Sequence, residues 1–270
     1  MFTPLPTKSI TEHWSKILLQ KAYAQERRIE EASLNSWPAF QQMLFDGWVV
    51  RSTKGYTKRA NSVTPLYPSF LPDQDKVVAC ENFYQKQQQP TIFRLLSFSP
   101  ASHELDHVLA QRGYQRVDHV LILGFNRDQM QAKHLYDTLS LETLSLTVWL
   151  SLFSQFRQLP DEQHDIHSEM LKRLVPDPLF AVLHNKDGLP VACGLGVLEN
   201  AIFGLFDITT APEERNKGYG TQLLIAMLDW ARQHGASQAY LQVANTNQVA
   251  CHIYTKLGFH ELYHYWYRIR

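Results

Sequence analysis

The order of elements legible in the sequence predicts an α/β protein built from two similar halves, on three observations. Strand-like and helix-like segments alternate along most of the 270 residues. Both halves end in the same order: helix, strand, helix, a glycine followed by an aromatic residue, and strand. Residues 109–117 (LAQRGYQRV) and 254–262 (YTKLGFHEL) correspond, with Gly113 and Gly258 lying 145 positions apart. The expected division is 1–125 for the first half, 126–137 for a polar connector and 138–270 for the second half.

In the first half, residues 12–33 carry helical periodicity, and 47–51 and 58–63 read as extended runs with Gly55 as the turn between them. The proline-rich stretch 65–72 then interrupts regular structure. Helix 75–88, strand 91–97, helix 102–112 with Gly113 as its stop, and strand 117–123 follow. The second half opens with helical stretches 144–156 and 162–174. Strands 179–183 and 190–198 come next, joined by a turn at Asn185, Lys186, Asp187 and Gly188. Strand 202–210 runs into a glycine loop and helix 221–234, where Leu223, Leu224, Met227, Leu228 and Ala231 form the apolar stripe and Gly235 the stop. Strand 239–243, helix 247–257 and the aromatic strand 260–268 complete the chain.

Composition narrows the function. Hydrophobic residues make up 44% and charged residues 19%, as in a folded protein rather than a disordered or fibrous one. The 26 basic and 26 acidic residues cancel, so no global field favours nucleic acid or an anionic membrane. The three cysteines, Cys80, Cys193 and Cys251, form no C-x-x-C pair, which weighs against a disulfide framework or a zinc knuckle. The first residues lack an apolar signal core and no later run is long enough to span a bilayer, so the cytoplasm is the expected location.

The chemistry concentrates in two units. Arg215-Asn216-Lys217-Gly218-Tyr219-Gly220 links a strand directly to a helix, presenting unpaired backbone N–H groups and the positive end of the helix dipole. Gly218 and Gly220 let phosphate oxygens approach the amides, and Arg215 and Lys217 add positive charge. Taken alone, the hexapeptide reads equally well as a glycine turn before a helix. The second unit is 247–254, in which Asn247, Ala250 and Tyr254 fall on one helical face, while Val249, Ile253 and Leu257 fall on a neighbouring face that supplies the core.

Together with Thr210-Ala211-Pro212 before the loop and Lys256-Leu257-Gly258-Phe259 after the tyrosine, these units resemble the GNAT acyltransferase superfamily over roughly the last half of the chain. The resemblance implies the GNAT fold, a mixed and mostly antiparallel sheet flanked by helices, present twice. It further implies N-acetyl transfer from acetyl-CoA to a primary amine, carried by a small molecule or a peptide. The pyrophosphate of CoA would lie on Arg215, Asn216, Lys217, Gly218, Tyr219, Gly220 and Thr221. The backbone of Ile208, Thr209 and Thr210 would hold the pantetheine arm, assisted by Asn247, and Tyr254 would protonate the departing thiolate. Many members have glycine where Asn216 stands; the minimal pattern of Arg or Gln, two residues, Gly, one residue, Gly or Ala is intact. The implied mechanism is direct attack by a neutral amine, with the oxyanion held by backbone donors where the central strands separate. A base must accept the amine proton, and Asp207 is the expected one, with Glu199 as a second candidate and local pairing as the bland role of each. The alternative function is a CoA-dependent binding or regulatory module without turnover.

Rival signals are weaker. His103-Glu104-Leu105-Asp106-His107 matches the H-E-x-x-H pattern of zinc proteases, but both histidines point away from the stripe of Leu105, Val108 and Leu109, which describes a solvated face; no metal site is expected. The pair His164 and His167 is weaker still as a metal site. Tyr263, Tyr265, Trp266 and Tyr267 read as a packed last strand rather than a base-stacking surface. Applying the offset of 145 sets Phe70, Asp73 and Asp75 against Arg215, Gly218 and Gly220, and Ser102, Leu105 and Leu109 against Asn247, Ala250 and Tyr254. The first half is therefore expected to be degenerate, unable to bind CoA, and retained as a wall of the acceptor site.

Overall fold

A computed structural model describes residues 23–126 and 139–270. The expected connector lies outside the described residues except for Asn126. In the first of these spans the elements are α1 (Ala24–Ser36), β1 (Gln41–Phe45), β2 (Trp48–Ser52), β3 (Val63–Pro65), α2 (Asp73–Lys86), β4 (Ile92–Leu96), α3 (Pro100–Gln111) and β5 (Gln115–Asn126). In the second they are β6 (Ser140–Thr143), α4 (Leu146–Arg157), α5 (Asp161–Leu171), β7 (Asp177–His184), β8 (Pro190–Glu199), β9 (Ile202–Thr210), α6 (Tyr219–Gln233), β10 (Gln238–Ala244), α7 (Gln248–Leu257) and β11 (His260–Ile269).

All the strands join one 11-stranded sheet in the order β1-β2-β3-β4-β11-β5-β10-β9-β8-β7-β6. Pairing is antiparallel except for β3 with β4 and β9 with β10, so the expectation of a mixed, mostly antiparallel sheet holds. The two spans expected as separate halves share this sheet through an exchange. β11, the end of the chain, pairs with β4 and β5, while β5 pairs with β10. Helices α1, α4 and α5 cover one face around Trp37, Trp149, Tyr240, Tyr263 and Tyr265. The other face carries α6 with Leu223 and Met227 at one end and α2 and α3 with Val77 and Leu105 at the other. Tyr263, Tyr265 and Tyr267 enter the first core and Trp266 the opposite one, the period-two alternation of a strand buried on both sides. The aromatic run is thus the packed last strand that the sequence predicts.

Helix α1 is tied to strands β2, β4 and β11. Glu30, fully buried, accepts both guanidinium nitrogens of Arg94 and, at 2.5 Å, the Tyr263 hydroxyl. Buried Arg51 donates to the carbonyls of Leu34 and Trp37, satisfying orphan acceptors where α1 ends. Burial, then the charges of Arg94 and Arg59, bring the Arg51 guanidinium down to about 9.

Several expected elements shift. α1 runs past Ser33 to Ser36, and the part of helix 12–33 before Tyr23 lies outside the described residues. The run 58–63 is not one extended segment: Lys58–Ala60 is a 3-10 turn, because the Asn61 side chain accepts from the amides of Thr53 and Gly55 and donates to the carbonyls of Tyr56 and Thr57. β1 and β6 are additional strands. β1 folds onto β2 through a two-residue turn, Asp46-Gly47, both at positive φ (41° and 80°), the conformation that hairpin turns require and Asp-Gly supplies.

Candidate active site

β9 and β10 run parallel from Ile202 and Gln238 only as far as Leu205 and Leu241; beyond that they separate. Opposite β8, β9 carries a bulge between Phe206 and Thr209, with Asp207 at a φ of 51°. Residues 206–210 consequently lack a partner on the β10 side, and two chambers open along the split.

The first chamber, of about 460 Å³, is lined by Ile208, Thr209 and Thr210, by Arg215, Asn216, Gly218, Tyr219, Gly220 and Thr221, and by Asn247, Ala250 and Tyr254. The cofactor-binding set expected from the sequence therefore comes together here, apart from Lys217, whose ammonium lies 2.9 Å from Glu214. Its hydrogen bond to Glu214 is the chief cause holding the lysine above its usual range. Arg215 makes no ion pair among the described residues and is the loop's available cation. Gly218 precedes α6 at a φ of 84°, where only glycine is unstrained, and the space beside it is open. A Cβ on Gly220 would stand 3.3 Å from Thr210 Oγ1, so its absence keeps the helix start close to β9. Asn216 has a φ of 62°, a left-handed conformation that asparagine tolerates, which accounts for its replacing the glycine of many GNAT sequences. Thr221 and Gln222 turn their amides inward to the Gly218 carbonyl, leaving Tyr219 and Gly220 to offer the outward donors of the first turn.

Asn247 does not sit within the helix as a helical-face residue; it caps α7, its Oδ1 accepting from the Ala250 amide at 3.2 Å. Val249, expected in the core, lines the chamber instead at 73% exposure; Ile253 also borders the chamber while packing half-buried against the core, and Leu257 is buried. The Tyr254 ring packs edge-on to Phe259, centroids 5.9 Å apart. Burial, then the nearby Cys251, pushes its hydroxyl up to about 12.

The second chamber, of about 410 Å³, is walled by Asp207, Phe206, Phe153 and Gln242 and, from the first span, by Trp37, Tyr56, Thr57 and Arg59. Arg157, Ile208, Asn247 and Tyr254 line both chambers. Asp207 Oδ2 lies 3.1 Å from Nε2 of fully buried His167, close but not aligned as a hydrogen bond. The His167 ring is enclosed by Trp37, Tyr56 and Phe153, with centroids 5.3 to 5.5 Å away. Its helical phase marks it only as an inward residue; the contact with Asp207, 40 positions on, is tertiary. Glu199, the other candidate base, lines neither chamber and accepts from Asn35 Nδ2 at 2.9 Å. The H-E-x-x-H segment is likewise remote: Asp106 accepts from Trp266 and Arg268, while Leu105 and Leu109 are buried.

The comparisons agree with this geometry. The family model described as "Probable histone acetyltransferase Rv0428c C-terminal" matches residues 23–268. The chain belongs to this family. It is 31% identical over 250 residues to the uncharacterized N-acetyltransferase YobR of Bacillus subtilis (strain 168), covering 90% of this chain and 98% of that protein. Its fold is that of the GCN5-related N-acetyltransferase from Kribbella flavida (TM-score 0.67, 14% identity, covering 90% of this chain and 94% of the other). It is also similar to the tandem GNAT protein from the clavulanic acid biosynthesis pathway (TM-score 0.60, 11% identity, 77% and 74% covered). The protein is a GNAT-type N-acetyltransferase with the α/β fold of that superfamily. No helix among the described residues is long and apolar enough to cross a membrane.

Proposed function

We propose that this enzyme transfers the acetyl group of acetyl-CoA to a primary amine, with the first chamber taking the donor and the second the acceptor. The observation that carries the reading is the wall the chambers share: Tyr254, Asn247 and Ile208 border a glycine-loop cradle on one side and an aromatic cavity holding Asp207 on the other. Acetyl-CoA supplies an acyl group already activated as a thioester, so the chain's tasks are positioning and proton management.

The amides of Tyr219 and Gly220 and the Arg215 guanidinium cradle the pyrophosphate. The unpaired edge of Ile208, Thr209 and Thr210 binds the pantetheine amides as a strand would. Tyr254 stays protonated at neutral pH and donates to the thiolate as it leaves. Asp207 accepts the proton of the incoming ammonium, directly or through water, with the His167 ring lying 3.1 Å from its carboxylate.

We read the chain as a tandem arrangement in which the first span is the degenerate member. β3-α2-β4-α3-β5 repeats the order β9-α6-β10-α7-β11, and the sheet has a parallel pair in each. Ser102, Leu105 and Leu109 are fully buried in the first span, where their counterparts in the second line a cleft. In place of the Arg-led loop, Asp73 sits at the start of α2, 3.2 Å from Lys76. That supports a span that binds no CoA and instead contributes a wall to the acceptor chamber. A panel of amines with acetyl-CoA, read as free thiol and acetylated product, tests the proposal; acetyl-CoA bound without transfer to any amine would favour a binding module.

A further inference from the structure

We infer that the acceptor is a small amine that also carries a carboxylate, bound through Arg59 and Arg157 while its amino group lies at Asp207. The inference rests on the reading of the second chamber as the acceptor site. Three formal charges line that chamber, two guanidinium groups and one carboxylate. Neither Arg59 nor Arg157 makes an ion pair among the described residues, so a guest meets two uncompensated cations. They also act on the same place: burial first, then the Asp207 charge, raises the Tyr56 hydroxyl well above its ordinary value, and Arg59 and Arg157 oppose the rise.

Arg59 is held rather than floating. Its guanidinium lies 4.7 Å from the Trp37 ring centre and 5.8 Å from that of Phe206. Stacking fixes the plane of a guanidinium and leaves its edge N–H donors free for a bidentate acceptor. The segment that presents it is over-determined. Trp37 Nε1 donates to Thr57 Oγ1 at 3.0 Å, buried Arg51 donates to the Arg59 carbonyl at 3.2 Å, and Asn61 bonds both ends of the turn. Thr57, β-branched, is kept at a φ of 57° and ψ of 135°, which costs energy that only surrounding contacts maintain. A strained, clamped turn carrying an unpaired arginine into a cavity is a recognition element, and it comes from the first span. A purely cationic amine, such as a lysine side chain in a basic peptide, would meet the same two guanidinium groups as repulsion.

The test uses the full chain with acetyl-CoA and each common L-amino acid, its carboxamide and its decarboxylated amine. For the accepted side chains, the carboxylate form is expected to show a kcat/KM at least about tenfold above the carboxamide, chiefly through KM. Arg59→Gln is expected to bring that ratio close to one, and Arg59→Lys to retain part of it, which loss of stacking alone would not do. A carboxamide or decarboxylated amine used as well as the acid, or a ratio unmoved by Arg59→Gln, overturns the inference and leaves acetyl transfer standing. If calorimetry finds acetyl-CoA bound but no amine is acetylated, both fall together.

Discussion

Replacing Tyr254 with phenylalanine removes one oxygen from the wall between the chambers and nothing else. Burial holds that hydroxyl at about 12, whereas an ordinary thiol titrates near about 8.5, so full proton transfer to a free thiolate is uphill by about 5 kcal/mol. The phenol therefore acts by a hydrogen bond that strengthens as the C–S bond breaks, not by prior ionisation. Donors of this type contribute roughly 10²-fold or more, about 2.7 kcal/mol in the barrier. Tyr254→Phe should lower kcat by that factor, while CoA affinity by calorimetry stays close to that of the parent, since the ring and its contact with Phe259 remain. With the hydroxyl at about 12, no loss of activity from its ionisation is expected between pH 7 and about 10, because the donor form persists below its pKa. Single-turnover acetyl transfer, followed as thiol release, is the assay. An unchanged single-turnover rate in Tyr254→Phe would remove the hydroxyl from the mechanism.

Four further outcomes follow from the structure. Gly220→Asp places a Cβ 3.3 Å from Thr210 Oγ1 and a negative charge beside the donors of α6, so CoA binding by calorimetry should be lost; Gly218→Ala, strained at a φ of 84°, should lower the melting temperature at a cost of about 1 kcal/mol. Burial raises Asp106 most, but the bonds from Arg268 and Trp266 and the charges of Arg268 and Arg116 together lower it overall, so its stabilisation is complete above the unfolded value of about 3.9 and lost as pH falls through the folded one; Asp106→Asn should flatten urea-measured stability against pH on the acid side. Residues 139–270 expressed alone lack β5, the partner of both β10 and β11, and should be insoluble or fail to bind CoA, whereas co-expression with residues 1–138 should restore a complex; a soluble, CoA-binding fragment would contradict the role given to β5.

The strand entering the glycine loop was legible to the residue, Ile202–Thr210, because a bilaterally buried run ends there against a loop of unmistakable composition. Period and stop signals likewise located α6 and α7, but not that Asn247 caps α7, since a cap and a first helical residue share one position in the pattern. The Asp46-Gly47 dipeptide is a strong turn signal between Phe45 and Trp48, but the run before it, Gln41–Phe45, opens with two glutamines and lacks the apolar alternation of a buried strand. Other features carry no local signature. His167 meets Asp207, Arg51 meets Trp37, and Arg59 reaches a cavity built mainly by the second span only through tertiary packing. The exchange of β5 and β11 is invisible for a related reason: each strand alternates identically whichever neighbour it pairs with.

That exchange also governs how the molecule is made. His260–Ile269 form a middle strand, bonded on one side to Ile92–Leu96 and on the other to Gln115–Asn126. Until they leave the ribosome, β4 and β5 each hold a bare hydrogen-bonding edge at the heart of the sheet, where it cannot be blunted by charge or proline as an outer edge can. Contacts between segments so far apart in sequence are slow to form, and the chain waits with those edges open. Synthesis of β11, which follows both β4 and β5 along the chain, is the event that closes the middle of the sheet.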